Sequence, residues 1–248
     1  MSSEDLMVIP RFMGEDGRRF FTLQFASASR PKAHIVFIPP FGEEMNRCRS
    51  LVATQARSFA SAGYSCTLVD FYGTGDSEGL LRDASLDLWE SNIREAIEAV
   101  QRDFPAPVIL WGMRLGGLLA LHFASLPGLQ PKDIILWQPV SSATLYITQV
   151  LRQRVASLMV RDLPPETTTE IRHRIAEGGD VEVSGYTLSG TLVGQIESID
   201  VTGMSGLCPG TIYWLEHVVQ EGKEIGLASR KVVDQLSQQG NRIEVRTF

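Results

Sequence analysis

One stretch limits the fold more than any other: Val108-Ile109-Leu110-Trp111-Gly112-Met113-Arg114-Leu115-Gly116-Gly117-Leu118-Leu119-Ala120. An apolar run ends in Gly-x-Arg-x-Gly-Gly and continues at once as an apolar helix. Strand and helix are joined with no loop between them, so the tip of the turn, Arg114, is held in a strained backbone shape. The residues two before and two after the tip must be small, so that strand and helix can pass closely. Gly112 and Gly116 meet that need.

The rest of the chain supplies a setting for such a turn. Leu6 to Met13 and Arg18 to Ala26 read as two strands joined at Gly14-Glu15-Asp16-Gly17. Ala33 to Ile38 is a buried strand stopped by Pro39-Pro40, and a loop through Asn46 follows. A helix over 47–62 ends at Gly63, and Tyr64 to Val69 is the next buried strand. The acidic, glycine-rich run from Asp70 to Gly79 is a loop. Leu86, Trp89, Ile93, Ala96, Val100 and Phe104 fall on one helical face, closed by Pro105 and Pro107. The elbow strand and a helix over 115–125 come next, then a strand from Asp133 to Gln138. This alternation predicts a parallel sheet with helices on both faces.

Residues 141–205 break the rhythm and are expected to form a lid inserted into a single domain spanning 1–248. Leu145 to Val160 and a stretch from Pro164 to Ala176 look helical, with Leu145, Val150, Leu151, Val155, Leu158 and Met159 expected to pack on the sheet. A strand from Thr211 to Glu216, a helix from Ala228 to Gln238 and a last strand from Arg242 to Phe248 complete the chain.

Bulk properties exclude several classes. The 248 residues are 44% hydrophobic and 21% charged, which suits one globular domain of the larger single-core kind. The net charge of -6 argues against nucleic acid. Cys48, Cys66 and Cys208 are odd in number and widely spaced, so neither a disulfide framework nor a zinc site is expected. No metal and no cofactor is expected. The first residues lack a signal-peptide pattern, and no apolar run approaches the ~20 residues of a spanning helix. A cytoplasmic location with no membrane span is the expectation.

With serine at the tip, the central turn is the nucleophile elbow, written G-x-S-x-G. Three stretches in the same order resemble α/β-hydrolases: the strand followed by Pro39-Pro40-Phe41-Gly42-Glu43-Glu44; Gly63-Tyr64 through Asp70-Phe71-Tyr72-Gly73-Thr74-Gly75-Asp76-Ser77-Glu78-Gly79; and the elbow. The resemblance implies a mostly parallel sheet of about eight strands flanked by helices. Pro-Pro-Phe-Gly-Glu-Glu-Met-Asn-Arg-Cys-Arg, Leu-Trp-Gly-Met-Arg-Leu-Gly and Val-Ser-Gly-Tyr-Thr-Leu-Ser also resemble the type 2 hydrolases associated with the exosortase A system. That likeness implies a bacterial PEP-CTERM sorting and exopolysaccharide context, with a protein partner from that system.

Working members of the superfamily order their triad Ser…Asp/Glu…His. Here the tip is Arg114, whose guanidinium stays protonated and only donates, so it is no acyl nucleophile. The candidate acid is Glu216, at the end of the strand after the lid, where a solvated strand-end carboxylate is the alternative. The histidine expected after the last strand is not in the sequence. His34 stands at the wrong strand end, His122 in the elbow helix, His173 in the lid and His217 beside Glu216. Ser77, Ser141, Ser142 and Cys48 have no histidine partner recognisable by spacing, and Asp70 and Asp76 are expected to hold loop backbone. The oxyanion hole is built from backbone, so Phe41 and Leu115 remain its candidate donors. Glu43, Glu44, Arg114, Ser77 and Gln138 are the candidate pocket residues, with either Glu43 or Glu44 able to occupy Arg114.

Two functions stay open. One is hydrolysis of an ester, thioester or similar acyl bond. The other is a catalytically inactive binding or scaffold protein that uses Arg114 to hold a small anionic or acyl ligand.

Overall fold

The computed structural model describes residues 6–27, 29–220 and 222–248. The strands are β1 (Leu6–Met13), β2 (Phe20–Ser27), β3 (His34–Ile38), β4 (Ser65–Asp70), β5 (Val108–Met113), β6 (Asp133–Trp137), the short pair β7 (Val181–Val183) and β8 (Tyr186–Leu188), β9 (Ile212–Glu216) and β10 (Ile243–Thr247). The α-helices are α1 (Glu43–Ser61), α2 (Leu86–Asp103), α3 (Leu115–Ala124), α4 (Ala143–Val160), α5 (Thr168–Ala176), α6 (Gly190–Glu197) and α7 (Leu227–Gln238).

Eight strands form one sheet in the order β1-β2-β4-β3-β5-β6-β9-β10. β1 and β2 join antiparallel at one edge, and the run from β4 to β10 is parallel. The order reverses at β3, which has β4 on one side and β5 on the other. A crevice opens at the carboxyl ends of strands where such a reversal occurs. The loop after β3 and the elbow after β5 both emerge there.

β5 is buried at every position, as a central strand covered on both faces must be. Val36, Ile38, Leu110, Ile134 and Leu136 face the larger core with α2, α3 and α7, while Ile35, Phe37, Ile109 and Trp111 face α1 through Val52, Ala56 and Ala60. On that second face, beyond α1, Trp137, Tyr213, Leu215 and Phe248 line an open apolar groove. Among the described residues no helix is long and apolar enough to cross a membrane.

Several expected boundaries move. α1 begins at Glu43, so Glu43 and Glu44 form the first turn of a helix rather than part of a loop. Carboxylates are favoured there by the helix dipole. Pro164, Pro165 and Glu166 lie outside α5, which starts behind a capping box made by Thr167 and Glu170. The stretch after Val181 becomes a small hairpin and the helix α6, whose eight residues bury only Leu192, Val193 and Ile196, too short an apolar pattern to reveal a helix. In α4, Tyr146, Ile147, Val150 and Leu151 are buried, whereas Leu145 and Met159 are exposed rather than packed.

Candidate functional site

The elbow closes as its glycines require. A Cβ on Gly112 would overlap the Gly116 carbonyl oxygen, and one on Gly116 would overlap the carbonyl oxygens of Ile38 and Pro39. α3 therefore lies directly against the end of β3. Arg114 adopts φ 55 and ψ -122, a shape few side-chain-bearing residues take. Its amide donates to the Trp137 carbonyl at 3.1 Å, and its own carbonyl accepts from Gly117 and Val140 at 3.0 and 3.3 Å. The backbone alone thus supplies three hydrogen bonds to the turn.

The tip side chain is engaged. Arg114 Nε donates to Glu44 Oε1 at 3.2 Å, and Nη1 to the Gln138 carbonyl at 3.4 Å. The other Glu44 oxygen, Oε2, accepts from the Tyr146 hydroxyl at 2.8 Å. Burial and the Glu44 charge both push the Tyr146 phenol well above its ordinary range, with Arg114 opposing them. The Cys48 thiol, one turn along α1, is raised by burial and by Glu44, again against Arg114. Tyr146 was not among the expected site residues. Its place on α4, far along the chain, leaves no local spacing that would tie it to Glu44.

Beside Glu44 and Tyr146 is a cavity of about 460 Å³, which Arg114 borders only through its pairing with Glu44. Its base is Phe41, Gly42, Glu43, Glu44 and Arg47, one wall is Tyr146, Val150, Gln153 and Ala156 of α4, and the other is Val183, Ser184, Tyr186 and Leu188 of the hairpin. The hairpin is tied to α1 by Asn46 Nδ2 donating to the Tyr186 hydroxyl at 2.6 Å. The backbone amides of Phe41 and Leu115 belong to buried residues and donate to no other described residue. Buried amides are nearly always paired, which sets these two apart.

The other expected pocket residues lie elsewhere. Ser77 donates to the Asp70 carbonyl at 2.6 Å and accepts from the Phe21 amide at 2.8 Å, so it braces its loop outside the cavity. Asp70 accepts from the Asp76 amide and from Arg49, the loop-holding role expected of it, whereas the Asp76 carboxylate faces Arg49 at 3.6 Å rather than loop backbone. Gln138 touches Arg114 through its carbonyl only, while its Oε1 accepts from the His217 amide at 2.7 Å.

Glu216 is neither solvated nor paired with histidine. It is buried, with Oε2 accepting from Trp214 Nε1 at 2.8 Å and Oε1 from the Gly226 amide at 3.1 Å. His217 turns its ring to Phe248. His34 Nε2 meets the Phe104 carbonyl, His122 meets Glu90 at 2.8 Å, and His173 meets Glu177 on the surface. Among the described residues no histidine joins Glu216 or the elbow tip, and no cluster of three His, Cys, Asp or Glu could hold a metal ion.

Comparison with known proteins places this geometry. Human mitochondrial palmitoyl-protein thioesterase ABHD10 is 32% identical over 90 residues, 36% of this chain and 28% of that protein. The Bos taurus form is 27% identical over 137 residues, 55% of this chain and 39% of that protein. The matched stretches thus span well under half the length of these relatives. Among solved structures, a thermostable carboxyl esterase from Bacillus coagulans superposes with TM-score 0.64 at 15% identity, covering 97% of this chain and 89% of that one. Est1E from Butyrivibrio proteoclasticus with ferulic acid bound gives TM-score 0.65 at 18% identity, covering 96% and 88%. At those identities the likeness speaks for the fold. A family model described as serine aminopeptidase, S33, matches residues 29–180, the majority of the chain and all of the elbow. The chain therefore belongs to the serine aminopeptidase S33 family of hydrolases and has the α/β-hydrolase fold.

Proposed function

We propose that this chain is a ligand-binding member of its family that holds an acyl compound without cleaving it through a serine triad. The observation that carries this reading is the elbow tip. Where acyl transfer needs a nucleophile backed by a histidine, Arg114 stands paired to Glu44. The ligand is an acyl chain or aryl acid with a carboxylate or carbonyl head. Its head accepts from the Phe41 and Leu115 amides and from the outer guanidinium N–H groups of Arg114, which is 30% exposed in its side chain. Its apolar part lies along Phe41, Val150, Ala156, Val183 and Leu188, under the segment 141–205 acting as a lid. An open anion pocket is not the form this takes. The head must share Arg114 with Glu44 or displace it, which favours a carbonyl or a single carboxylate over a multiply charged anion. The setting is the exosortase-linked exopolysaccharide context that the sequence resembles.

Acyl hydrolysis is the rival, favoured by the partial likeness to thioesterases and by the two available amides. Treating the full chain with a fluorophosphonate probe and with p-nitrophenyl butyrate, and titrating it with octanoate by calorimetry, separates the two. Saturable octanoate binding lost in Arg114→Ala, with no labelling and no turnover, is the expected result. Turnover that disappears in Arg114→Ala, or probe attached to any serine, would replace binding by hydrolysis.

A further inference from the structure

The sheet face beneath α2 is apolar except at one corner. Towards the end of β3 remote from the elbow, Gln24, His34, Ser65 and Thr67 are all buried, with His34 opposite Ser65 and Gln24 opposite Thr67 on neighbouring strands. Two buried side-chain atoms among the described residues lack a hydrogen-bond partner, His34 Nδ1 and Thr67 Oγ1, and both fall in this cluster. A buried polar atom without a partner is destabilising, and native proteins retain few of them.

The polarity of each group follows from its neighbours. His34 Nε2 lies 2.7 Å from the Phe104 carbonyl. A carbonyl only accepts, so Nε2 carries a proton, and in the neutral ring Nδ1 is then an acceptor. Gln24 Nε2 donates to Ser65 Oγ at 2.8 Å, which leaves the Ser65 proton and Gln24 Oε1 without a partner among the described residues. A cavity of about 240 Å³ is lined by Gln24, His34 and Ser65 and walled by Met7, Ile9 and Phe104. At its mouth Arg11 and Asp103 cancel each other in an ion pair of 2.6 Å.

We propose that this cavity is a second ligand site, separate from the elbow, for a small uncharged polyol. Two acceptors and one donor crowded together call for groups that both give and take a proton, as hydroxyls do. A carboxylate would meet the lone pairs of His34 and Gln24 head-on. An ammonium would be buried without a counter-charge, because Asp103 is already paired.

The test uses the full chain with erythritol and myo-inositol as probes. Calorimetry is expected to give a saturable one-to-one isotherm, weakened about tenfold or more in Ser65→Ala and in Gln24→Leu and unchanged in Arg114→Ala. Thermal stabilisation is not the readout, since polyols stabilise proteins generally by exclusion from their surface. Should either variant fail to fold, the ¹⁵N resonance of His34 Nδ1 in the unmodified chain must shift and saturate with the polyol. Absence of saturable heat and of that shift overturns the proposal. So does equal binding in Ser65→Ala, or a crystal grown with either polyol in which water alone meets His34 Nδ1.

Discussion

Glu44 holds the elbow tip from one side and α4 from the other: Oε1 lies 3.2 Å from Arg114 Nε, and Oε2 accepts from Tyr146 at 2.8 Å. The two halves differ in worth. Arg114 and Glu44 are 30% and 33% exposed in their side chains, so solvent limits their pairing to about 0–1 kcal/mol. Tyr146 is buried, and stranding its hydroxyl costs about 1–3 kcal/mol.

Glu44→Ala is therefore expected to lower unfolding free energy by about 1–3 kcal/mol, mostly through Tyr146. Tyr146→Phe should be much less damaging once Glu44 is gone. Urea unfolding of the two single variants and the double variant reads the coupling, and equal Tyr146→Phe losses in both backgrounds would show that there is none.

Arg114→Ser alone is expected to create no esterase. It restores the G-x-S-x-G text, yet no described histidine stands ready to take the proton, and Glu216 is committed to Trp214 and Gly226. The check is p-nitrophenyl ester turnover together with fluorophosphonate labelling of the variant. Activity well above that of the unmodified chain would mean that a base reaches the tip.

Gly116→Ala should destabilise the chain by about 4 kcal/mol or more, because its methyl would overlap two carbonyl oxygens of the β3 end that have no freedom to withdraw. A folded Gly116→Ala variant with near-normal melting would contradict the close crossing. Gly194→Ala is the matched control, since nothing lies within 4 Å of its Cβ position.

Acid should loosen the segment 141–205 through Glu166. Hydrogen bonds and charge from Arg154 and Arg174 hold its carboxyl down at about 2, against an ordinary value of 4.5. Its folded pKa is depressed, so its contribution is complete above 4.5 and drains away as pH falls towards 2. Hydrogen-exchange protection of α4 and α5, taken relative to the intrinsic rate at each pH, should fall over that window, and Glu166→Gln should show the lower protection already at neutral pH.

Much of this architecture was legible in the chain. Alternating strands and helices, the proline stops and the glycine pair at Gly112 and Gly116 were enough for the sheet and its elbow, because each is enforced by local pattern or by sterics. Ser77 was misplaced because its loop bends away from the elbow, and only the Asp70 and Phe21 contacts reveal that direction. The choice between Glu43 and Glu44 could not be made either. They are neighbours in a helical first turn and point about a quarter-turn apart, so only the helix start decides which one meets Arg114. Tyr146 lies about a hundred positions from Glu44 along the chain, and their meeting depends on how α4 settles over the crevice.

The elbow is sealed by glycines and main-chain hydrogen bonds, so its shape does not register which side chain crowns it. A lineage can then exchange that one residue by a single codon while the surrounding scaffold stays viable, and later exchange it again. Reactivity in such a turn is heritable separately from architecture, and reversible on the same terms.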